Sequence, residues 1–131
     1  MQQKNLLRKK YYIIRKKKYY EVSKDFFNPL VDFIKLKFKK KKYKIAFYYP
    51  SSFELDVLKL LEFDYISDQN ILLPIIEENN LMHFSPWKKN GVLQINKYGM
   101  LEPLKSKKII PHIILVPLLI FDRGKHRLGY G

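Results

Sequence analysis

The sequence predicts an α/β fold, a largely parallel layered sheet with helices on its faces. Three observations point there. Short apolar runs bounded by proline alternate with segments of helical period, the pattern of strand–helix units. Neither an internal repeat nor a low-complexity spacer interrupts the alternation. The last of these runs is followed by a basic, glycine-bearing stretch, Phe121 to Gly131, with which the sequence stops.

With 131 residues, 47% of them hydrophobic and 15% aromatic, the sequence has material for one packed core, and residues 1–131 are read as a single domain. Leu6, Leu7, Tyr11, Ile14 and Tyr19 recur at helical spacing among lysines and arginines, which predicts a basic amphipathic helix over 4–22. Asn28 followed by Pro29 predicts a second helix. Asparagine can cap free N–H groups, and proline in the first turn sacrifices no hydrogen bond. Leu30, Phe33, Ile34 and Phe38 are its expected buried stripe, and Lys39 to Lys42 its expected end, where cations complement the helix dipole.

Lys44 to Tyr49, closed by Pro50, reads as a buried strand running into a loop, the place where open α/β sheets bind ligands. Ser51 or Ser52 is expected to cap a third helix reaching about Phe63, with Glu54 in its first turn and Leu55, Leu58, Leu60 and Leu61 inward. Ile71 to Ile76, Leu81 to Phe84 and Ile113 to Val116 are further strands, and Asn90–Gly91 marks a turn.

The formal net charge of +14 is compatible with a polyanionic partner, yet the joint abundance of lysine, isoleucine, tyrosine, phenylalanine and asparagine is also what an AT-rich coding sequence produces. The absence of cysteine excludes disulfides and thiolate metal sites. The longest apolar run, Ile113 to Phe121, contains Pro117 and is too short to span a bilayer, and the N-terminus lacks a signal-peptide pattern. A soluble, cytoplasmic protein is expected.

His83, His112 and His126 are far apart in sequence and lack zinc-hydrolase spacing, so each is expected to be structural or solvent-facing. Glu77 and Glu78 are neighbours that an extended chain points to opposite faces, and a solvated loop before Asn79 and Asn80 is expected. Arg127, Gly129 and Gly131 combine a bidentate cation with residues that let a backbone approach phosphate closely. The same stretch also fits a flexible end.

Leu115-Val116-Pro117-Leu118-Leu119-Ile120-Phe121-Asp122 followed by Arg127-Leu128-Gly129-Tyr130-Gly131 closely resembles the signature of the 5-formyltetrahydrofolate cyclo-ligase family, in which the loop continues Gly-Gly-Tyr-Tyr-Asp-Arg. Lys4-Asn5-Leu6-Leu7-Arg8 resembles the family's N-terminal Lys-x-x-Leu-Arg element. Ile45 to Pro50 leading to Glu54-Leu55-Asp56 is similar to its strand and acidic segment, and Leu73-Pro74, Met82-His83-Phe84 and Glu102-Pro103 fit in order.

The resemblance implies a three-layer α/β/α fold and the ATP- and magnesium-dependent conversion of 5-formyltetrahydrofolate to 5,10-methenyltetrahydrofolate, ADP and phosphate, by a monomer with no membrane or nucleic-acid partner. It implies an ATP site comprising Lys4, Asn5, Leu6, Leu7 and Arg8 with Arg127, Leu128, Gly129, Tyr130 and Gly131, and folate contacts at Tyr49 and Glu54. The magnesium-binding aspartate and roughly the last third of the family's domain would lie past Gly131. No residue is assigned a catalytic role. Read without the resemblance, Lys4 and Arg8 fit a solvated helix face, Tyr49 fits the core, and Glu54 fits a favourable charge at a helix N-terminus. One departure stands out: the family's glycine two residues before the arginine is Lys125 here, with Gly124 preceding it, so a different turn is expected. Two alternatives remain at this level, a basic non-catalytic module binding nucleic acid through the tyrosines and lysines of Lys9 to Tyr20, and a gene fragment without function.

Overall fold

A computed structural model describes residues 1–39 and 42–130. Helix α1 spans Gln2–Lys18, ending earlier than the sequence pattern suggests because Tyr19 is extended (φ −61°, ψ 135°). Arg15 to Lys18 fill its last turn, where cations face the negative end of the dipole. None of its residues is fully buried. Its half-buried face is Leu7, Arg8, Tyr11, Tyr12, Ile14 and Arg15, whereas Leu6 and Tyr19, expected in the apolar stripe, face solvent.

A single 3-10 turn, Lys24–Phe27, leads directly into helix α2, Asn28–Lys37. Pro29 occupies the first turn as expected, but Asn28 is already helical and Phe27 takes the cap position without a side-chain bond. The buried face is Val31 and Ile34, with Leu30 and Phe38 partly buried against the core, while Phe33 is 56% exposed. The expected stripe was therefore rotated by part of a turn. Helix α2 stops at Lys37, before the lysine run. Lys40 and Lys41 lie outside the described residues.

The main sheet contains β1 (Ile45–Ala46), β2 (Ile71–Ile76), β3 (Met82–Pro86) and β6 (Ile113–Ile114) in the order β3-β2-β1-β6. Strand β1 is parallel to both neighbours, with Ile45 opposite Ile71 and Ile113. Strands β2 and β3 form an antiparallel hairpin, so the sheet is mixed, parallel on one side of β2 and antiparallel on the other. Two further hairpins were not legible as strands: β4 (Leu93–Ile95) with β5 (Leu101–Pro103), and β7 (Ile120–Phe121) with β8 (Arg127–Leu128).

The expected third helix from Ser51 to Phe63 is absent. Ser52 and Phe53 adopt left-handed φ values of 52° and 62°, which halt a right-handed helix, and only the 3-10 segment Val57–Glu62 forms. Asp56 caps that segment by accepting from Leu58 N at 3.1 Å. Leu60 is its buried leucine, Leu58 and Leu61 are partly buried, and Leu55 is exposed.

The core gathers Phe27, Val31 and Ile34 from the helical segment with Tyr43, Ile45, Phe47, Leu60, Ile71 and Leu73 from the sheet and its flanks. One buried polar group organises its edge. Asn70 donates its amide to the Tyr43 carbonyl at 2.7 Å, and its Oδ1 accepts from Ser67 N at 3.0 Å and Ser67 Oγ at 2.9 Å. Tyr43 stacks on Tyr65 and donates to its carbonyl, and burial pushes the Tyr43 hydroxyl up to about 12. Removing the Asn70 amide would leave buried donors and acceptors unsatisfied, at about 1–3 kcal/mol. Asn70→Ala is expected to lower the unfolding free energy by that amount, seen in urea unfolding as a lower midpoint at unchanged slope, with Ser67→Ala affected less.

Candidate functional site

Parallel pairing puts the C-terminal ends of β2, β1 and β6 on one edge of the sheet, and the chain leaves β1 into residues 47–56 and β6 into residues 115–119 on that same side. Helix α1 approaches both loops. Between the three lies a cavity of about 470 Å³, with Tyr48 and Glu54 from the first loop, Val116 and Leu118 from the second, and Arg15 and Lys18 from α1 among its walls.

Glu54 is only 8% exposed. It does not begin a helix. Its Oε1 accepts from Ser51 N at 2.8 Å and Ser51 Oγ at 3.2 Å, while its own N–H returns to the Ser51 carbonyl at 3.0 Å. The carboxylate therefore holds the left-handed Ser52–Phe53 turn closed, which replaces the helix-dipole reading. Both side-chain bonds converge on Oε1, so Oε2 is the atom that remains for a donor. Tyr49 is half-buried, edge-on to Trp87 at 6.3 Å between centroids. It shares with Glu54 a second cavity of about 420 Å³, so both expected folate contacts border one space.

Tyr48 was not singled out by the sequence, yet it lines the larger cavity and donates to the Leu55 carbonyl at 2.9 Å. Burial raises its hydroxyl pKa, with Glu54 adding to the rise and Arg15 opposing it.

The expected ATP-site segments, at opposite ends of the sequence, meet in space. Arg8 Nε donates to the Gly129 carbonyl at 3.0 Å, and Arg8 Nη1 donates to Asn5 Oδ1 at 2.8 Å. Lys4 and Leu7 line a groove of about 390 Å³ together with Asp122, His126, Arg127 and Leu128. A Cβ built on Gly129 meets no atom within 4 Å, so the space over that residue is open. Leu6 is 65% exposed, and Gly131 lies outside the described residues. Residues 120–128 form the β7–β8 hairpin rather than a loose end. Its turn is closed by Lys125 N to the Asp122 carbonyl at 3.0 Å and His126 N to Asp122 Oδ1 at 2.9 Å. Lys125, where the family resemblance places glycine, sits at φ 64°.

Arg15 is the residue that sequence reasoning missed. Its guanidinium donates to the Leu118 carbonyl and the Tyr130 hydroxyl and lies 5.5 Å from the centre of the Tyr130 ring. The available signal was its position seven residues after Arg8, two helical turns along the same face of α1. It was read instead as one more cation in a basic run.

Elsewhere the carboxylate Glu77 is not simply solvated. Lys108 Nζ lies 2.7 Å from its Oε1, and His83 Nδ1 lies 2.8 Å from the same oxygen without hydrogen-bond alignment. His112 Nδ1 accepts from Lys44 N at 2.9 Å, and the exposed His126 pairs with Asp122. Among the described residues, no three His, Cys, Asp or Glu side chains gather as a metal would require, and no helix is long and apolar enough to cross a membrane.

Lys108 is the chief cause holding the Glu77 carboxyl below its ordinary pKa; partial burial works against it, and His83 and Lys105 help. A depressed native pKa means the unfolded chain binds the proton more readily. The pair's stabilisation is therefore present above about 4.5 and is lost as pH falls from there through the native value. Lys108→Met is expected to flatten stability against pH in that acid window and to leave the slope near neutral pH unchanged, read by urea midpoints across a pH series.

No family model matches the chain. A curated 5-formyltetrahydrofolate cyclo-ligase from Haemophilus influenzae is 26% identical over 94 residues, covering 66% of this chain and 50% of the relative. The NMR structure of Aquifex aeolicus 5,10-methenyltetrahydrofolate synthetase superposes with a TM-score of 0.67 at 26% identity, covering 98% of this chain and 67% of that one. The chain thus spans half the length of the curated relative and two thirds of the solved structure. The mixed α/β architecture is the fold of that solved structure.

Proposed function

As a member of the 5-formyltetrahydrofolate cyclo-ligase family, an assignment that both matches support, this chain, we propose, carries the nucleotide- and folate-binding surfaces for converting 5-formyltetrahydrofolate and ATP to 5,10-methenyltetrahydrofolate, ADP and phosphate. The observation that carries the reading is the Arg8–Gly129 hydrogen bond, which joins the basic N-terminal helix to the glycine segment beside the carboxyl edge of the sheet. In the cell this would be a soluble, cytoplasmic, monomeric enzyme acting on small molecules, without a nucleic-acid partner.

The chemistry asks for cations and backbone donors around a transferring phosphoryl group. The formyl oxygen forms a bond to the γ-phosphorus as the bond from that phosphorus to the β,γ-bridging oxygen breaks, releasing ADP. N10 then bonds to the activated carbon and releases its proton to solvent, and the C–O bond to phosphate breaks as phosphate leaves, closing the ring. In this reading Lys4, Arg8 and Arg127 attract and orient the phosphates, and the open space over Gly129 admits them close to backbone. Glu54 Oε2 accepts from the donor-rich pterin edge, and the Tyr49 ring bounds the same space. Asp122, the carboxylate of the hairpin, accepts from His126 N and pairs with the His126 ring. No step is assigned to this chain through magnesium.

A ligand that binds only the folded state raises apparent stability by mass action. ATP is expected to raise the melting temperature of the purified chain. Arg8→Ala should weaken ATP binding by about tenfold, equivalent to about 1.4 kcal/mol, without abolishing cooperative unfolding. An unchanged melt at saturating ATP would remove the nucleotide site. Absence of the methenyl product from chain supplied with ATP, magnesium and 5-formyltetrahydrofolate, while a longer homologue turns over, would remove catalysis by this chain. Glu54→Gln keeps the shape of the side chain but loses its charge, and should weaken 5-formyltetrahydrofolate binding while leaving ATP binding within about twofold, both read by calorimetry.

A further inference from the structure

The nucleotide segment and the folate loop are not independent neighbours. Gly129 is held by Arg8, and the next residue, Tyr130, is held by Arg15. The Tyr130 hydroxyl in turn lies 3.4 Å from the Ser52 carbonyl. Ser52 belongs to the turn that Glu54 closes through Ser51. The other arm of Arg15 reaches the Leu118 carbonyl, in the loop after β6. One guanidinium therefore touches the glycine segment and the β6 loop directly, and the β1 loop through a single hydroxyl. Its field acts on the hydroxyls of Tyr48 and Tyr130, as does that of Glu54.

We infer that Arg15 is a positioning residue that couples the nucleotide surface at Gly129–Tyr130 to the folate surface at Ser51–Glu54. The inference rests on the function proposed above and adds to it a residue and a linkage. Coupling requires a fork: a planar guanidinium donates in two fixed directions at once, here to the Tyr130 hydroxyl and the Leu118 carbonyl, whereas an ammonium of the same charge lacks that fixed fork. When ATP orders the glycine segment, Tyr130 and Arg15 are fixed together, and the Ser52 turn is fixed with them. A folate then meets a loop that is already ordered, and by linkage the reverse holds to the same factor.

The test measures the dissociation constants of ATP and 5-formyltetrahydrofolate by calorimetry, each alone and each with the other present, on the full chain and on Arg15→Lys and Arg15→Ala. In the unmodified chain each ligand should tighten the other by roughly tenfold, a typical coupling factor. In both variants that factor should fall to near one, while ATP alone binds within about threefold of the unmodified chain. A purely structural role would weaken both ligands together and leave their ratio unchanged. An unchanged factor in Arg15→Lys, or a factor of one in the unmodified chain, overturns the inference. If neither ligand binds the unmodified chain, the proposed function fails, and hydrogen exchange still decides the inference. Arg15→Ala should speed exchange in residues 126–130 and residues 50–54 together; acceleration in only one segment, or in neither, overturns it.

Discussion

The structure depends on a strand of two residues. Ile45 and Ala46 form β1, both fully buried, and the sheet is parallel only because β1 lies between β2 and β6. So short a ladder is reinforced just past its formal ends. Phe47 N bonds to the Leu72 carbonyl and Leu115 N to the Ala46 carbonyl, each at 2.9 Å, and Ile113 N bonds to the Lys44 carbonyl at 3.2 Å. Shifting this register by one residue would exchange the faces of every side chain on the strand. The loops at 47–56 and 115–119 would then no longer open into one cavity.

Against that buried sheet, α1 is attached in another way. It buries no residue completely, and its strongest anchors are two arginines bonded to backbone carbonyls. Such attachments are directional and leave the remaining cations of the helix in water, where they raise the local concentration of anions. The net charge of +14 thus has a local meaning on this face, whatever its compositional origin. A helix fixed by polar forks can shift with modest loss of apolar contact, which suits a surface that must admit ligands.

Much of the frame was legible. β2 has the bounds the sequence gives it, because a short, wholly apolar run with three isoleucines reads as a buried strand even with Pro74 in it, and Pro29 marked the start of α2. The helix expected after Pro50 failed for a local reason. Ser51 and Ser52 can cap a helix, but here the Glu54 carboxylate turns back to Ser51 and stabilises a left-handed bend instead. Strands of two residues such as β7 and β8 are too short for alternation to register, whereas β6 lies inside the apolar run Ile113 to Val116 that the flanking prolines mark. The grouping of Lys4 to Arg8 with Arg127 to Tyr130 came from family resemblance, since nothing in local pattern says that residues so distant should meet. Arg15 stayed hidden because a cation in a basic run looks like its neighbours until its partners are known.

The Arg8–Gly129 contact spans 121 positions, whereas the β2–β3 hairpin closes over a few. Closing a long loop is unfavourable until contacts on both sides exist to stabilise it, so local elements form early and distant ones late. The seam between α1 and the glycine segment therefore depends on the sheet and core that bring its two sides together. The surface proposed to receive phosphate thus closes a loop of almost the whole chain, and a nucleotide settling into that seam would add contacts to both sides of it.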